Sequence, residues 1–559
     1  MCPLATTNTE TSVAHLERRP RAVLIAAILA LGCWLRLDQW LDQVLIDDEW
    51  HVLHQIIDHG PGDLFLTFGY ADYSIPFGLL NAWLANAVGL SEWMMRFPFL
   101  LAGMATLVAF PHYVARRLGG SVAAVFAFLL AISPILIFYS RIARPYAFTL
   151  LLGWTAHAAA QRFFVSRSLG AAAVYVICAV LTTWAHPIIA PFVLAPLLWV
   201  VLAPPGGQGW PARRKALWDA MLLGVPTAFL LVALLAPPLA HDFQSLRAKS
   251  GADLPGMEAI TGVWFAWFGT ASRPTVLVAA MMAILGLPVV WRAVPEARSG
   301  LLGLGLVAIA IFVSRPMWSR WAEVLARYLL PIVPLLLLAM ATGCVRLAAT
   351  IRRRLARYQL AHLISILAFM PCIALAARSP LQPLLHRPNS YTLSIVAQFD
   401  YRPGHNFVLE RLRAAPESPF WRRLKTFASD GQTVAVAPFQ FESYNWNGAH
   451  WESVSGQRVL PAWLIGFCRD RRYGELPREP RFAPRNAVYL SDRSSIEMQN
   501  VEWIVWLRPF RLRWEGKEDL VGNDVADCEA KFRAVFGAPA YEDESLIAFR
   551  WSAVRGGAR

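Results

Sequence analysis

Long apolar runs alternate with short, arginine-rich polar breaks over roughly the first two thirds of the chain. Ala22–Leu35, Ser121–Tyr139, Ala171–Leu202, Leu217–Leu239 and Leu329–Cys344 each reach or approach the ~18–20 residues needed to cross a bilayer core. They predict membrane-spanning helices. The block Ile75–Leu90 is shorter, interrupted and preceded by an acidic segment, which predicts a helix lying in the interface rather than a span. The pattern changes at Ser379–Ser390, where Pro380, Pro383 and Pro388 mark a linker. Beyond it, Thr433–Ala437 and Trp503–Trp506 read as short strands and Asp524–Phe536 as an amphipathic helix. That tail is long enough for one compact α/β domain. No internal repeat, heptad run or low-complexity tract interrupts the pattern.

Composition strengthens the membrane reading. Of 559 residues, 56% are hydrophobic and only 16% charged, against roughly 25% charged in average globular chains. The formal net charge of +14 sits mostly in short arginine clusters between apolar blocks. Such clusters are topology signals, and their placement argues against a nucleic-acid partner. The polar start of the chain ends in Arg18, Arg19 and Arg21. The apolar stretch after it is too long for a signal-peptide core and lacks a small-residue cleavage site, so it reads as an uncleaved first span. Arginine far outnumbers lysine, which suits a GC-rich genome and a bacterial inner membrane.

Charge also sets an expected topology. With residues 1–20 a cytoplasmic tail, Arg116-Arg117, Arg162 with Arg167, Arg213-Arg214-Lys215, Arg292 with Arg298, and the run Arg346–Arg357 share the inner side if about eleven helices cross. The expected division is a transmembrane region 21–378, a linker 379–390 and a periplasmic α/β domain 391–559. The first external loop, 41–96, is acidic: Asp42, Asp47, Asp48, Glu49, Asp58, Asp63, Asp72 and Glu92 face a single basic residue, Arg96. Cys468 and Cys528 fall on the oxidising side, where a disulfide and two separate thiols are both open readings.

The candidate chemistry lies at the outer ends of the spans. Asp47-Asp48-Glu49 puts three carboxylates at a membrane-water boundary, where mutual repulsion raises at least one pKa. A raised carboxylate there suits a general base acting on a hydroxyl; an exposed acidic turn that enforces topology is the other reading. His51, His54 and Asp58 have helical spacing and are the candidate ligands for a divalent metal, though the spacing is common by chance. Tyr139-Ser140-Arg141-Ile142-Ala143-Arg144-Pro145-Tyr146 and Arg327-Tyr328 place arginines and tyrosines outside, against the positive-inside bias. They suit phosphate binding or interfacial anchoring. His186 adds a titratable group at the same depth. In the tail, Trp446, Trp451 and Trp463 are candidates for stacking on a sugar or for packing.

An Asp-Glu pair after span one, Arg96-Phe97-Pro98 opening the next span, Ala143-Arg144-Pro145-Tyr146, and Arg327-Tyr328-Leu329-Leu330-Pro331-Ile332-Val333-Pro334 recur in that order. The chain thereby resembles the GT-C superfamily of membrane glycosyltransferases. It is most similar to the protein O-mannosyltransferase and aminoarabinose-transferase branch and to the rhizobial lipopolysaccharide galacturonosyltransferases. The resemblance covers roughly residues 20–345 and rests on the order of short motifs. It implies inverting transfer from a polyprenyl-phosphate sugar to a hydroxyl on a glycolipid, polysaccharide or protein. Asp48 would be the base, Glu49 its support and Asp47 the substitute one register away. Arg144, Tyr146, Arg327, Tyr328 and His186 would hold the donor phosphate. Relatives often carry His-Pro-Pro or Lys-Pro-Pro in the first loop, where this chain has Asp72-Tyr73-Ser74-Ile75-Pro76-Phe77.

Two rival readings remain from the sequence. A transporter or flippase of lipid-linked saccharide would show repeat symmetry or polar groups near the midplane, and here the polar groups sit at span ends. A non-catalytic scaffold would need only one span.

Overall fold

The structure is a computed structural model; it describes residues 9–38, 40–41, 44–45, 49–69, 74–205, 207, 209–358, 360–378, 417–427, 431–439, 448–470, 475–478, 481–514 and 517–557. Asp42, Asp47, Asp48, Asp72, Tyr73, Trp446 and the expected linker 379–390 lie outside the described residues.

The helices before the tail are α1 (Thr9–Leu37), α2 (Glu49–Asp58), α3 (Pro61–Leu66), α4 (Ile75–Ala87), α5 (Glu92–Leu118), α6 (Gly120–Ile132), α7 (Pro134–Arg141), α8 (Tyr146–Ser166) and α9 (Leu169–Ala185). They continue with α10 (Ala190–Leu202), α11 (Trp210–Ala248), α12 (Met257–Phe268), α13 (Arg273–Ala293), α14 (Glu296–Ser314), α15 (Ala322–Tyr328), α16 (Ile332–Arg354), α17 (Ala361–Ile366) and α18 (Met370–Arg378). Among the described residues, five helices are long and apolar enough to cross a membrane: α5, α11, α13, α14 and α16. The pair α6–α7 makes a sixth candidate, bent by 58° at the break before Pro134. Val23–Leu37, α9, Pro187–Leu202 and Leu363–Ala377 are shorter apolar helices. The 13-residue α4 falls short of the roughly 20 residues a span requires.

The chain forms two compact units. The first comprises Met1–Asp38, Leu66–Ile75 and Pro98–Gln382. Its helices approach closely where side chains are absent. A Cβ on Gly286 of α13 would collide with the carbonyl oxygen of Ala339 on α16, and one on Gly343 with that of Met282. Small residues at such seams let backbones touch where lipid supplies no hydrophobic drive. Proline and hydrogen bonding shape the other elements. Asp242 breaks the helical backbone of α11, and its carboxylate accepts from Thr67 Oγ1 at 2.6 Å and the Phe68 N–H at 2.8 Å.

The second unit comprises Gln39–Phe65, Pro76–Phe97 and Pro383–Arg559. Its strands are β1 (Thr433–Ala437), β2 (Arg458–Trp463), β3 (Val488–Tyr489), β4 (Val501–Leu507), β5 (Phe510–Trp514), β6 (Lys517–Val521), β7 (Tyr541–Glu542) and β8 (Leu546–Arg550). A six-stranded sheet has the order β3-β2-β1-β4-β8-β7, and β5-β6 form a separate hairpin. β1 pairs in parallel with β2 and β4, and β4 pairs antiparallel with β8. Every residue of β1 is buried, as an apolar central parallel strand covered on both faces should be. The helix Cys528–Phe536 packs Phe532 and Phe536 against Phe549 of β8. The strand expected at Thr433–Ala437 is there; the one at Trp503–Trp506 extends to Val501–Leu507, and the helix expected from Asp524 starts at Cys528 after a 3-10 turn at Asn523–Val525.

Most of the first loop, residues 41–65 and 76–96, is structurally part of this same unit. Leu90 forms a parallel bridge to Phe482, and the Glu92 carboxylate accepts from the backbone N–H groups of Arg485 and Asn486 at 2.9 and 3.0 Å. Trp50 packs against Phe439 and Trp463, at ring separations of 5.7 and 6.0 Å. Cys468 and Cys528 are joined by a disulfide.

Candidate functional site

Three separate stretches converge in the first unit. Tyr146 opens α8, with Arg144 in the turn just before it. His186 follows α9, outside both flanking apolar helices, and Arg327-Tyr328 close α15. Pro145 and Pro187 start the helices that follow them, as their fixed φ favours. Tryptophans hold the short α15 and the turn after it: Trp267 donates to the Ala326 carbonyl at 3.2 Å, and Trp154 to that of Pro331 at 3.0 Å.

The side chains then meet around one buried ring. The guanidinium carbons of Arg144 and Arg327 lie 6.0 and 5.7 Å from the centre of Tyr146, within cation–π range. His186 sits 5.3 Å from Tyr146 and 5.7 Å from Tyr328. Tyr139 braces Tyr146 from α7, edge-on at 4.7 Å. Burial, and then the charges of Arg144 and Arg327, push the His186 imidazole down to about 3. A neutral imidazole between two guanidiniums can donate one hydrogen bond, and the guanidiniums offer planar forks matched to phosphate oxygens. Five of the residues singled out in the sequence for phosphate binding are thus brought together.

Arg141, read from sequence as the second arm of this arginine pair, points elsewhere. It is 1% exposed and donates to the carbonyls of Leu35 and Asp38 at 3.2 and 2.7 Å, at the end of α1. Arg36 in turn donates to Leu130 and Ala131 carbonyls at 3.2 and 3.4 Å, at the end of α6. Arg141 thus satisfies carbonyls at the end of α1, the helix that carries Arg36, and Arg36 those at the end of α6, the helix before Arg141's own, at ends where the helix dipole favours a cation. No local pattern signals this, because the partners are backbone atoms about a hundred residues away.

In the second unit, Glu49 forms a fully buried ion pair with Arg96, whose Nε and Nη2 donate to its two oxygens at 2.8 and 2.6 Å. The same Nη2 donates to the Val44 carbonyl at 2.6 Å. Among the described residues no group of three or more His, Cys, Asp and Glu could hold a metal ion. His51, His54 and Asp58 therefore do not make such a group, and the His54 ring stacks on Trp50 at 6.3 Å. Trp451 and Trp463, candidates for sugar stacking, are 6% and 1% exposed. Trp451 stacks on Trp421 at 4.9 Å and Trp463 packs on Tyr489 at the same distance, so both belong to the core.

No protein-family model and no curated protein sequence matches the chain. Among solved structures it is similar to ArnT from Cupriavidus metallidurans bound to undecaprenyl phosphate, with 12% identity and a TM-score of 0.41 over 95% of this chain and 97% of that one. It is also similar to the Archaeoglobus fulgidus oligosaccharyltransferase in complex with Zn and sulfate, with 13% identity and a TM-score of 0.36 over 87% of this chain and 68% of that one. Likenesses this distant leave function to be argued from the residues themselves.

Proposed function

We propose that this chain is a membrane glycosyltransferase that moves a sugar, with inversion, from a polyprenyl-phosphate donor to a hydroxyl acceptor at the outer face of a bacterial inner membrane. The observation that carries the reading is the convergence of Arg144, Tyr146, His186, Arg327 and Tyr328 from three distant stretches into one cluster. Two fork donors and a neutral imidazole suit a phosphate better than a carbohydrate or a cation.

The chemistry divides between two residue classes. Asp48 takes the proton of the acceptor hydroxyl as its oxygen attacks the anomeric carbon, with Glu49 in support and Asp47 as the substitute. The bond from that carbon to the phosphate oxygen breaks, and its electron pair leaves with the phosphate. Such a leaving group is a weak base and needs charge neutralisation more than a proton, which Arg144 and Arg327 supply. A glycolipid, polysaccharide or protein is the acceptor. About eleven helices cross the membrane, with residues 1–20 inside and the linker 379–390 and domain 391–559 outside. The Cys468–Cys528 disulfide supports an oxidising compartment for that tail.

The test is transfer of radiolabelled sugar from membrane lipid to acceptor, comparing wild type with Asp48→Asn at matched expression. Loss of transfer in a correctly inserted variant is the expected result. Wild-type transfer undiminished by Asp48→Asn, Asp47→Asn and Glu49→Gln in turn would overturn the base assignment. No transfer from the wild type with polyprenyl-phosphate sugars supplied would overturn the enzyme reading.

A further inference from the structure

We propose that Arg141 is a positioning residue for Arg144, an inference that rests on reading the Arg144 cluster as the donor-phosphate site. Arg141 ends α7 and stands three positions before Arg144; the Arg144 N–H closes a tight turn onto the Ile142 carbonyl at 2.9 Å. Its guanidinium is fixed by the carbonyls of Leu35 and Asp38. The segment that carries Arg144 is therefore docked to the end of α1 at its root. Tyr139, two residues upstream on α7, packs edge-on against Tyr146, the ring that both Arg144 and Arg327 face. The α6–α7 break is pinned from the other side by Arg36, which is 2% exposed and bound to Leu130 and Ala131. A bent apolar helix pair with a 58° break could rotate about Ser133; two crossed arginine caps stop that rotation, and with it the drift of Arg144. Arginine inside an apolar helical unit is expensive and tends to be retained for function. Neutral side chains could cap the same carbonyls, whereas only a fork reaches several at once.

The test is a double-mutant cycle on the purified full chain in detergent, with a polyprenyl phosphate as the probe. Arg141→Gln and Arg144→Gln should each weaken binding by about tenfold, the size expected for charge-assisted bonds. If Arg141 acts through Arg144, the double variant binds no more weakly than Arg144→Gln alone, with affinities measured on the binding-competent fraction. A merely structural role lowers that fraction and leaves the affinity unchanged, which would overturn the proposal, as would additive effects. Arg141→Lys, which keeps the charge and loses the fork, carries the same cycle if Arg141→Gln does not fold. Should the native protein bind no polyprenyl phosphate, the functional reading fails separately. The labelling rate of Arg144→Cys by a soluble maleimide, with and without Arg141→Gln, then decides: a several-fold change supports positioning, and an unchanged rate overturns it.

Discussion

Arg96 and Glu49, 47 residues apart, form a completely buried two-point ion pair. Removing one partner would leave a buried charge without its counter-ion, which destabilises by about 3–5 kcal/mol, whereas apolar replacement of both is often close to neutral. Arg96→Met should therefore lower the unfolding midpoint of the second unit sharply, and Glu49→Leu with Arg96→Met should recover most of it. Protease resistance of the tail against temperature checks both.

Arg327 supplies one of the two guanidiniums over Tyr146, and lysine cannot reproduce its planar fork. On the proposed function, Arg327→Lys should raise KM for the lipid-linked donor by about tenfold or more, the scale of one charge-assisted hydrogen bond, while insertion and expression stay normal. Transfer kinetics against donor concentration measure it.

The seam between α13 and α16 tolerates no added methyl. Gly343→Ala would drive a Cβ into the Met282 carbonyl, and backbone cannot give way as a flexible side chain would. Overpacking of this kind costs about 1–3 kcal/mol. We expect a lower melting temperature in detergent, with Gly305→Ala, where a Cβ meets nothing within 4 Å, as the unaffected control.

Acid should weaken the tail through Asp543. Burial acts to raise its pKa, but bonds from Ser418 Oγ, the Ser545 N–H, the Tyr541 hydroxyl and the Leu546 N–H outweigh burial and hold the carboxyl below the usual carboxylate range. The folded state thus favours the ionised form, so the contribution is complete above the unfolded pKa of about 3.9 and fades as pH falls through the lower folded value. Asp543→Asn should flatten the acid limb of a stability–pH curve followed by tryptophan fluorescence.

The disulfide closes a 60-residue separation. Chain-entropy arguments put its contribution at about 4 kcal/mol. Cys528→Ser should lower the midpoint of denaturant unfolding of the tail, and reductant should do the same to the wild type without affecting the variant.

Some of this was legible in the chain itself. Apolar length marked the long helices, and alternation with β-branched residues marked β1 and β4. Arg144, Tyr146, His186, Arg327 and Tyr328 stood out because polar and aromatic groups at span ends break the apolar pattern. Arg141 looked identical to Arg144 in that pattern, since nothing local reveals that its acceptors are the carbonyls of α1. Trp451 and Trp463 were ambiguous for a related reason: a tryptophan side chain suits a sugar face and a core equally, and only the sheet buries them. The attachment of the first loop to the tail was invisible, because Glu92 binds backbone N–H groups that carry no sequence signal.

That attachment has a consequence in time. Glu92 and Arg485 are 393 residues apart, so at about 5–20 residues per second the ribosome needs roughly 20–80 s to deliver the partner after the loop is made. Throughout that interval Trp50 has no Trp463 to pack against and the Leu90 backbone has no segment around Phe482 to bridge, while Arg96 and Glu49 already lie on the same emerging segment. The ion pair can form first and hold the loop as a half-built interface until the last quarter of the chain arrives to complete it.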